Sequence, residues 1–548
     1  MDLDRHACDR ARRSRDARFD GRFFIGVTST RVYCRPICPA RAPKDEHVRY
    51  FPSAAAAEAA GFRPCLRCRP EASPGTPAWL GTSALVSRAL RLIGEGQIRG
   101  GGAGLKNDQH SVETLAARLG VTGRHLRRLF LQHLGATPLD VALTRRVHFA
   151  KKLLDETTLT MSDVAFASGF GSLRRFNAQI RRTYSRTPTE LRRLARRRAV
   201  AEPDCYRFRL AYRPPYDWDA MLTFLAARAT PGVESVADSR YRRTITVDGR
   251  IGVIEVSRLE PGAALGLDVR FPDSRALLFI VEQVRRMFDL GADPGIIGEQ
   301  FHADPLLRGL VARHPGIRVP GAWDGFELAV RAILGQQISV RAATTIAGRI
   351  AAMFGSPASA REATQGGLRR DRAGARQSAR EGGPAAGDPG DRGLERLFPT
   401  PEQLADAAIE QAGVVSVRAE TIRALARRIV NGTLTFRSCA DGRAAVSALE
   451  DLPGIGNWTA EYIAMRALGE PDAFPSGDLI LRRAAGDCTA RELSHKSEAW
   501  RPWRAYAVIL LWQDANESSS GSTPPRVEDF AARAGRSQPC PISPPSSS

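Results

Sequence analysis

A chain of 548 residues is too long for one hydrophobic core, so several domains are expected. Its 43% hydrophobic content is ordinary for soluble protein, no apolar run approaches the roughly 20 residues that span a bilayer, and MDLDRHACDRARR is no signal peptide; a membrane partner is excluded and a cytoplasmic location expected. The net charge of +21 is unevenly placed, with 37 Lys and Arg against 17 Asp and Glu in residues 1–200 but 43 against 42 in residues 201–548, so nucleic acid is the expected partner of the first two fifths.

Residues 1–76 form the first expected domain. Cys34 and Cys38 make C-x3-C and, after 26 intervening residues, Cys65 and Cys68 make C-x2-C. Four thiolates so spaced can surround one Zn2+ tetrahedrally, in a purely structural or a reactive site. The other five of the nine cysteines are scattered, which argues against a disulfide framework. FDGRFFIGVTSTRVYCRPICPAR followed by GFRPCLRCRP resembles the N-terminal domain of the Ada family of the bacterial adaptive response to alkylation. The resemblance implies that Cys34 takes a methyl group irreversibly from a DNA methylphosphotriester, and that Thr30, Arg41 and Arg63 contact DNA phosphates. Methylation would remove one negative charge from the centre and lessen its repulsion from phosphate, making it a switch.

SPGTPAWLGTS (73–83) reads as a linker, and residues 84–199 as an all-α domain. SVETLAARLGVTGRHLRRLFLQHLG carries Leu115, Leu119, Leu126, Phe130 and Leu134 at helical spacing, with a helix start at Ser111 and a break at Gly120 and Val121. After a long basic helix over 144–155 the pattern recurs in MSDVAFASGFGSLRRFNAQIRRTYSRTPTELRR, and RRLARRR (192–198) reads as a basic tail. Two helix-turn-helix units joined by one helix resemble the AraC-type DNA-binding domain, and the helices entering successive major grooves would begin near Gly123 and Ser172. Arg124, Arg127 and Arg128 on the first, and Ser172, Arg174, Arg175 and Asn177 on the second, are candidates for base or phosphate contact, at least half of them to phosphate or solvent.

Residues 204–285 contain alternating runs such as RTITVDG and GVIEVS, strands of a small antiparallel sheet, with a helix over 218–229. Residues 286–514 read as mainly helical; a Gly/Ala/Arg-rich stretch at about 356–397 is expected to be a mobile insertion, and the Ser/Pro-rich residues 515–548 a disordered tail. In LEDLPGIGNWTAEYIAMRALGEPDAFPSGDLILRR a helix over 445–451 stops at Pro453, Gly454 and Gly456 permit a sharp turn, and a second helix covers 458–468. Such a hairpin is either an ordinary turn or a seat for a DNA phosphate at a helix N-terminus. Asp478 is either the cap of the next helix or a carboxylate with chemistry to do.

PPYDWDAMLTFLAARA, SVADS, RAILGQQISV, LPGIGNWTAEYIAMRAL and WRPWRAYAVILLW resemble the AlkA family of inducible 3-methyladenine DNA glycosylases. The resemblance implies a helix-hairpin-helix enzyme that flips the damaged base. By this match Asp478 would stabilise positive charge on the deoxyribose as the N-glycosidic bond breaks. Gln337 stands at the wedge position, which is apolar in the family. Trp458, Tyr462 and Trp512 match the base pocket, to which Trp218 could add. Related lyases carry a Lys where this chain has Trp458, so hydrolysis without strand cleavage is expected. Backbone carbonyls near Glu450, Leu452 and Gly454 could hold a monovalent cation, as in the family.

The expected architecture is multidomain: a small α/β zinc domain, an all-α double helix-turn-helix domain, and an α+β sheet domain packed with a mainly α-helical helix-hairpin-helix glycosylase. The resemblances imply a methylation-activated transcription regulator fused to a monofunctional DNA-3-methyladenine glycosylase. Its partners would be double-stranded DNA with alkylated bases and methylphosphotriesters, promoter DNA and RNA polymerase, and it would act as a monomer. The Pro-Cys-His-Arg acceptor motif of the full Ada protein is absent, so O6-methylguanine repair is not expected. Two alternatives stay open: a regulator whose glycosylase portion only binds DNA, and a glycosylase for other damaged purines.

Overall fold

The computed structural model describes residues 4–75, 84–94, 105–195, 202, 204–358, 393–436 and 442–520. Most of the linker, residues 196–198 of the basic tail, most of the 356–397 insertion and residues 521–548 lie outside them.

The first domain holds α1 (Arg5–Ser14), β1 (Phe24–Val27), β2 (Val32–Cys34), β3 (Val48–Phe51), α2 (Ala54–Ala59) and β4 (Arg63–Pro64), in sheet order β3-β1-β2-β4. Alternation along the strands sends Phe23 and Ile25 into one small core with Cys8 and Ala11, and Phe24 and Tyr33 into another with Phe51 and Phe62.

Seven helices follow: α3 (Ala84–Gly94), α4 (Leu105–Arg118), α5 (Gly123–Leu134), α6 (Pro138–Glu156), α7 (Met161–Ala167), α8 (Leu173–Tyr184) and α9 (Pro188–Leu194). Side-chain oxygens of Thr122, Thr137, Thr160, Ser172 and Thr187 cap α5 to α9, each accepting from a backbone N–H three residues on. α6 starts six residues before the expected 144, because Thr137 and Asp140 form a capping box around Pro138, and Pro suits the first helical turn. α4 likewise starts before Ser111.

β5 (Cys205–Ala211), α10 (Trp218–Ala226), β6 (Glu234–Ala237), β7 (Arg240–Val247), β8 (Arg250–Leu259) and β9 (Ala264–Arg270) make a five-stranded antiparallel sheet of order β5-β9-β8-β7-β6 with one helix packed on it. Val247 pairs with Arg250 across Asp248 and Gly249, both at positive φ, which is the two-residue turn that matches strand twist. One core runs from the second helix-turn-helix unit into this sheet: Phe149 lies 6.3 Å from Phe208 between ring centroids.

The remainder is helical: α11 (Leu277–Met287), α12 (Pro294–His302), α13 (Pro305–Arg313), α14 (Gly325–Leu334), α15 (Val340–Phe354), α16 (Pro401–Leu404), α17 (Ser416–Val430), α18 (Gly442–Glu450), α19 (Asn457–Arg466), α20 (Leu479–Ala484), α21 (Ala490–Lys496) and α22 (Arg504–Ser520). α12, α13, α20 and α22 close around Phe301, Leu307, Leu481 and Trp500; α14, α15, α17 and α19 close around Ile333, Ile350, Ile422 and Ile463. Tyr462 packs against both cores, so α19 stands at their junction.

Two expected boundaries change. α22 continues to Ser520, so the first six residues of the supposed tail are helix. The ends of the supposed insertion are anchored, since Pro357 bridges Arg396 and the amides of Glu395 and Arg396 donate to Gly232 O at 2.9 and 3.0 Å. Among the described residues no helix is long and apolar enough to cross a membrane.

Candidate functional site

The hairpin between α18 and α19 turns at Gly454, where φ is +88° and an added Cβ would lie 2.3 Å from Thr421 Oγ1. That hydroxyl donates to Pro453 O at 3.0 Å, so α17 braces the turn at the one place where a side chain cannot fit. Gly456 has φ of −91° and open space around its Cβ position; it is the N-cap of α19 with no side chain bonded to the first amides. The amide of Gln336 donates to Gly454 O and Thr459 Oγ1, both at 2.9 Å, tying the loop after α14 to the hairpin. Gln337 beside it is exposed, at φ +57°.

Asp478 is 9% exposed; it caps α20, and its carboxylate also takes donors from outside that helix. Its Oδ1 caps α20 by accepting from Leu481 N at 2.9 Å and also accepts from Trp512 Nε1 at 3.1 Å, while Oδ2 accepts from Trp458 Nε1 at 2.9 Å. Three donors fix its orientation. Trp458 stacks on Tyr462 with ring centroids 5.5 Å apart and planes within 7°, and Trp512 lies 6.1 Å from Tyr462. Arg466 donates to the Tyr462 hydroxyl at 2.8 Å. Burial pushes this phenol up, but the charges of Arg466, Arg228 and Arg331 outweigh it and bring the pKa down to about 8. Trp218 is not brought to this cluster: it is buried against Phe288 and Tyr216 in the sheet-domain core. The α10 residue that reaches the cluster is Phe224, whose ring lies 4.7 Å from the Arg466 guanidinium and 3.8 Å from that of Arg228.

The sulfurs of Cys34, Cys38, Cys65 and Cys68 all lie within 4.8 Å of one another. A tetrahedral Zn2+ with Zn–S of about 2.3 Å separates its sulfurs by about 3.8 Å, so the four residues fit one ion. Cys34 closes β2, and Cys65 N donates to Tyr33 O at 3.0 Å, which aligns the two pairs. Cys65 and Cys68 are buried, whereas Cys34 and Cys38 are part-exposed, so an incoming group reaches the first pair. Thr30, Arg41 and Arg63 are exposed.

On α5, Arg124 is exposed, Arg127 donates to Glu113 at 3.0 Å and Arg128 lies 3.1 Å from His125 Nδ1. On α8, Arg174, Arg175 and Asn177 are exposed, while Ser172 spends its hydroxyl on capping Arg175 N at 3.3 Å.

Four family models match consecutive stretches: the metal binding domain of Ada (7–71), a helix-turn-helix domain (115–194), the AlkA N-terminal domain (207–324) and the HhH-GPD superfamily of base excision DNA repair proteins (330–501). A Mycobacterium tuberculosis protein described as "Probable bifunctional transcriptional activator/DNA repair enzyme AlkA" is 42% identical over 521 residues, covering 93% of this chain and 97% of that protein. The chain belongs to this bifunctional AlkA family. The DNA-3-methyladenine glycosylase 2 of Escherichia coli is 33% identical over 322 residues, or 56% of this chain and 96% of the relative. A solved 3-methyladenine DNA-glycosylase from Archaeoglobus fulgidus has 21% identity and a TM-score of 0.45, covering 57% of this chain and 99% of its own.

In this AlkA-family chain, three groups escaped sequence reasoning. Gln336 was overshadowed by Gln337, since only the loop's backbone decides which of the two turns to the hairpin. Arg35 sends its backbone N–H to Cys68 Sγ at 3.4 Å and its guanidinium to Cys68 O at 3.0 Å. Phe224, Arg228 and Arg466 back Tyr462 from two domains, and no spacing signal links them.

Proposed function

We propose that this chain is a monofunctional DNA-3-methyladenine glycosylase joined to a methylation-activated transcription regulator, with domains at 1–76, 84–199, 204–285 and 286–514. The observation that carries the glycosylase half is one carboxylate, Asp478, oriented by Trp458 and Trp512 next to a hairpin braced for close backbone contact. The uncapped amides of α19 and the Gly454 turn would hold a phosphate of double-stranded DNA. Gln337 would enter the gap left by the flipped base, and Trp458, Tyr462 and Trp512 would form the pocket wall. As the C1′–N bond breaks, its electron pair leaves with the base. Asp478 offsets the positive charge on the sugar, and water adds to C1′ and loses a proton, leaving an abasic site. An alkylated purine is already cationic and needs little acid assistance to leave; aromatic faces favour it. Carbonyls at Glu450, Leu452 and Gly454 would share a monovalent cation, with Gly454 O already taking one bond from Gln336.

In the regulator half, Cys34, Cys38, Cys65 and Cys68 would hold Zn2+, which would keep their sulfurs as thiolates at neutral pH. Cys34 Sγ attacks the methyl carbon of a methylphosphotriester, the S–C bond forming as the O–CH3 bond breaks, with the electron pair staying on the phosphate oxygen. Thr30, Arg41 and Arg63 would position that DNA. Arg124, Arg127, Arg128, Arg174, Arg175 and Asn177 would then hold promoter DNA for RNA polymerase. We take the protein to act as a cytoplasmic monomer. The deciding experiment incubates the full chain with methylated DNA: free 3-methyladenine should appear, and Asp478→Asn should abolish it. A regulator whose glycosylase half only binds DNA would release no base.

A further inference from the structure

The zinc domain sits on the glycosylase half through buried charges that begin at a zinc ligand. Arg35, which holds Cys68 through two bonds, also pairs with buried Asp20, its Nε donating at 2.9 Å. Asp20 opens a turn whose next residue, Gly21, has φ +78°. A Cβ there would lie 2.4 Å from Gly75 O and 2.9 Å from the Arg213 guanidinium, so the turn rests directly on Arg213. Arg22 then reaches across the domain boundary, and both of its bonding nitrogens meet the carboxylate of Asp293, 271 positions away. Asp293 is 2% exposed and caps α12, accepting from Gly295 N and Ile296 N at 3.2 and 3.3 Å.

Arg213 lies at the middle of this chain. It is fully buried, 3.8 Å from Asp293, and donates to Gly291 O at 3.2 Å and to Gly75 O. Burial pushes its guanidinium down to about 10, against the pull of Asp293 and Asp20. Arg35, Arg213 and Arg22 thus meet Asp20 and Asp293, with the Glu71 carboxylate also acting on Arg35 and Arg285 on Arg213. Arg35 bonds Cys68 directly, so its charge stands against the cysteine cluster, where Zn2+ held by four thiolates would carry a net charge of about −2. Out of water, such balances matter: a buried charge that loses its partner is strongly destabilising.

We propose that this network couples the zinc–thiolate centre to the glycosylase half, so that loss of negative charge at the cysteines loosens the docked turn and the start of α12. The inference rests on the zinc reading of the four cysteines, not on the source of the methyl group. Methylating one thiolate would remove one negative charge beside Arg35 and leave that guanidinium less compensated. The readiest relief is for the Asp20–Arg22 turn to part from Arg213 and Asp293 and admit water. A methylated sensor would then report to the repair domain of the same chain as well as to DNA.

The test is amide hydrogen exchange across 293–302 in the zinc-loaded full chain, before and after methyl iodide treatment that mass spectrometry shows to place a methyl on a zinc thiol. Exchange there should quicken at least about threefold in the unsubstituted protein. Arg22→Met, with zinc content still one per chain, should start about tenfold faster and respond no further, because the link is already cut. Arg22→Lys keeps the charge and should retain the response. Unchanged exchange on methylation, or an equal response in Arg22→Met, would overturn the coupling. Failure of the methyl-acceptor reading would show separately, as no transfer from methylphosphotriester DNA.

Discussion

The Trp458 indole donates to Asp478 at 2.9 Å, joining the helix after the hairpin to an acid 20 positions further on. Trp512 takes the other carboxylate oxygen, so the acid is clamped from both sides by walls of one aromatic cluster.

Trp458→Phe keeps an aromatic face against Tyr462 and removes that donor. A hydrogen bond to a charged group contributes about 1.5–3 kcal/mol, so base release should fall roughly 10- to 100-fold, read by chromatography of free 3-methyladenine. Asp478→Asn should abolish release; its one amide oxygen can still cap α20 but sets its NH2 against an indole N–H, which should cost about 1–3 kcal/mol in unfolding while leaving the protein folded. Release retained in folded Asp478→Asn would mean that the carboxylate is only a cap.

Tyr462 should titrate near pH 8. An absorbance titration at the tyrosinate band should show this step, and Tyr462→Phe should remove it. The folded value lies below the unfolded value of about 10, so folding favours the phenolate. That contribution is fully present above pH 10 and is lost as pH falls through about 8. Relative to Tyr462→Phe, stability should therefore rise between about pH 8 and 10.

The two hairpin glycines should respond differently to alanine. Gly454→Ala meets both a positive φ and the Thr421 hydroxyl, and should cost about 1–3 kcal/mol in denaturant unfolding together with most DNA affinity. Gly456→Ala meets neither and loses only the N-cap preference of Gly over Ala, about 0.5–1 kcal/mol.

Metal analysis should find one zinc per chain, lost in Cys65→Ser or Cys68→Ser. After reaction with methylphosphotriester DNA, peptide mass spectrometry should place the methyl on Cys34. A methyl on Cys38, which is also part-exposed, would reassign the acceptor.

The core shared by Phe149 and Phe208 predicts that residues 204–520 alone expose apolar surface and lose stability. The share of the first 200 residues in DNA attraction is better read in the full chain. Each of Arg174→Gln and Arg175→Gln should lower the salt slope of DNA binding by about one if it removes a phosphate contact.

The order of domains, the cluster of four cysteines, the helix-turn-helix starts near Gly123 and Ser172, and the hairpin were legible because each is written in local spacing: C-x3-C and C-x2-C, caps before apolar periods, Pro and Gly at a turn. The same locality limited what could be read. Trp218 fits a pocket motif by its neighbours, but the sheet closes over it; Phe224, on the next turns of the same helix, faces the cluster instead. Asp478 could be a cap or a working acid by sequence; folding makes it the cap of α20 and adds what the sequence did not show, two indoles that α19 and α22 bring to its carboxylate. Least legible was the docking of the first domain on the last. The Arg22–Asp293 pair spans 271 positions, and such a contact leaves no periodicity to detect; it exists only because packed domains exclude water around charges that would otherwise be solvated separately.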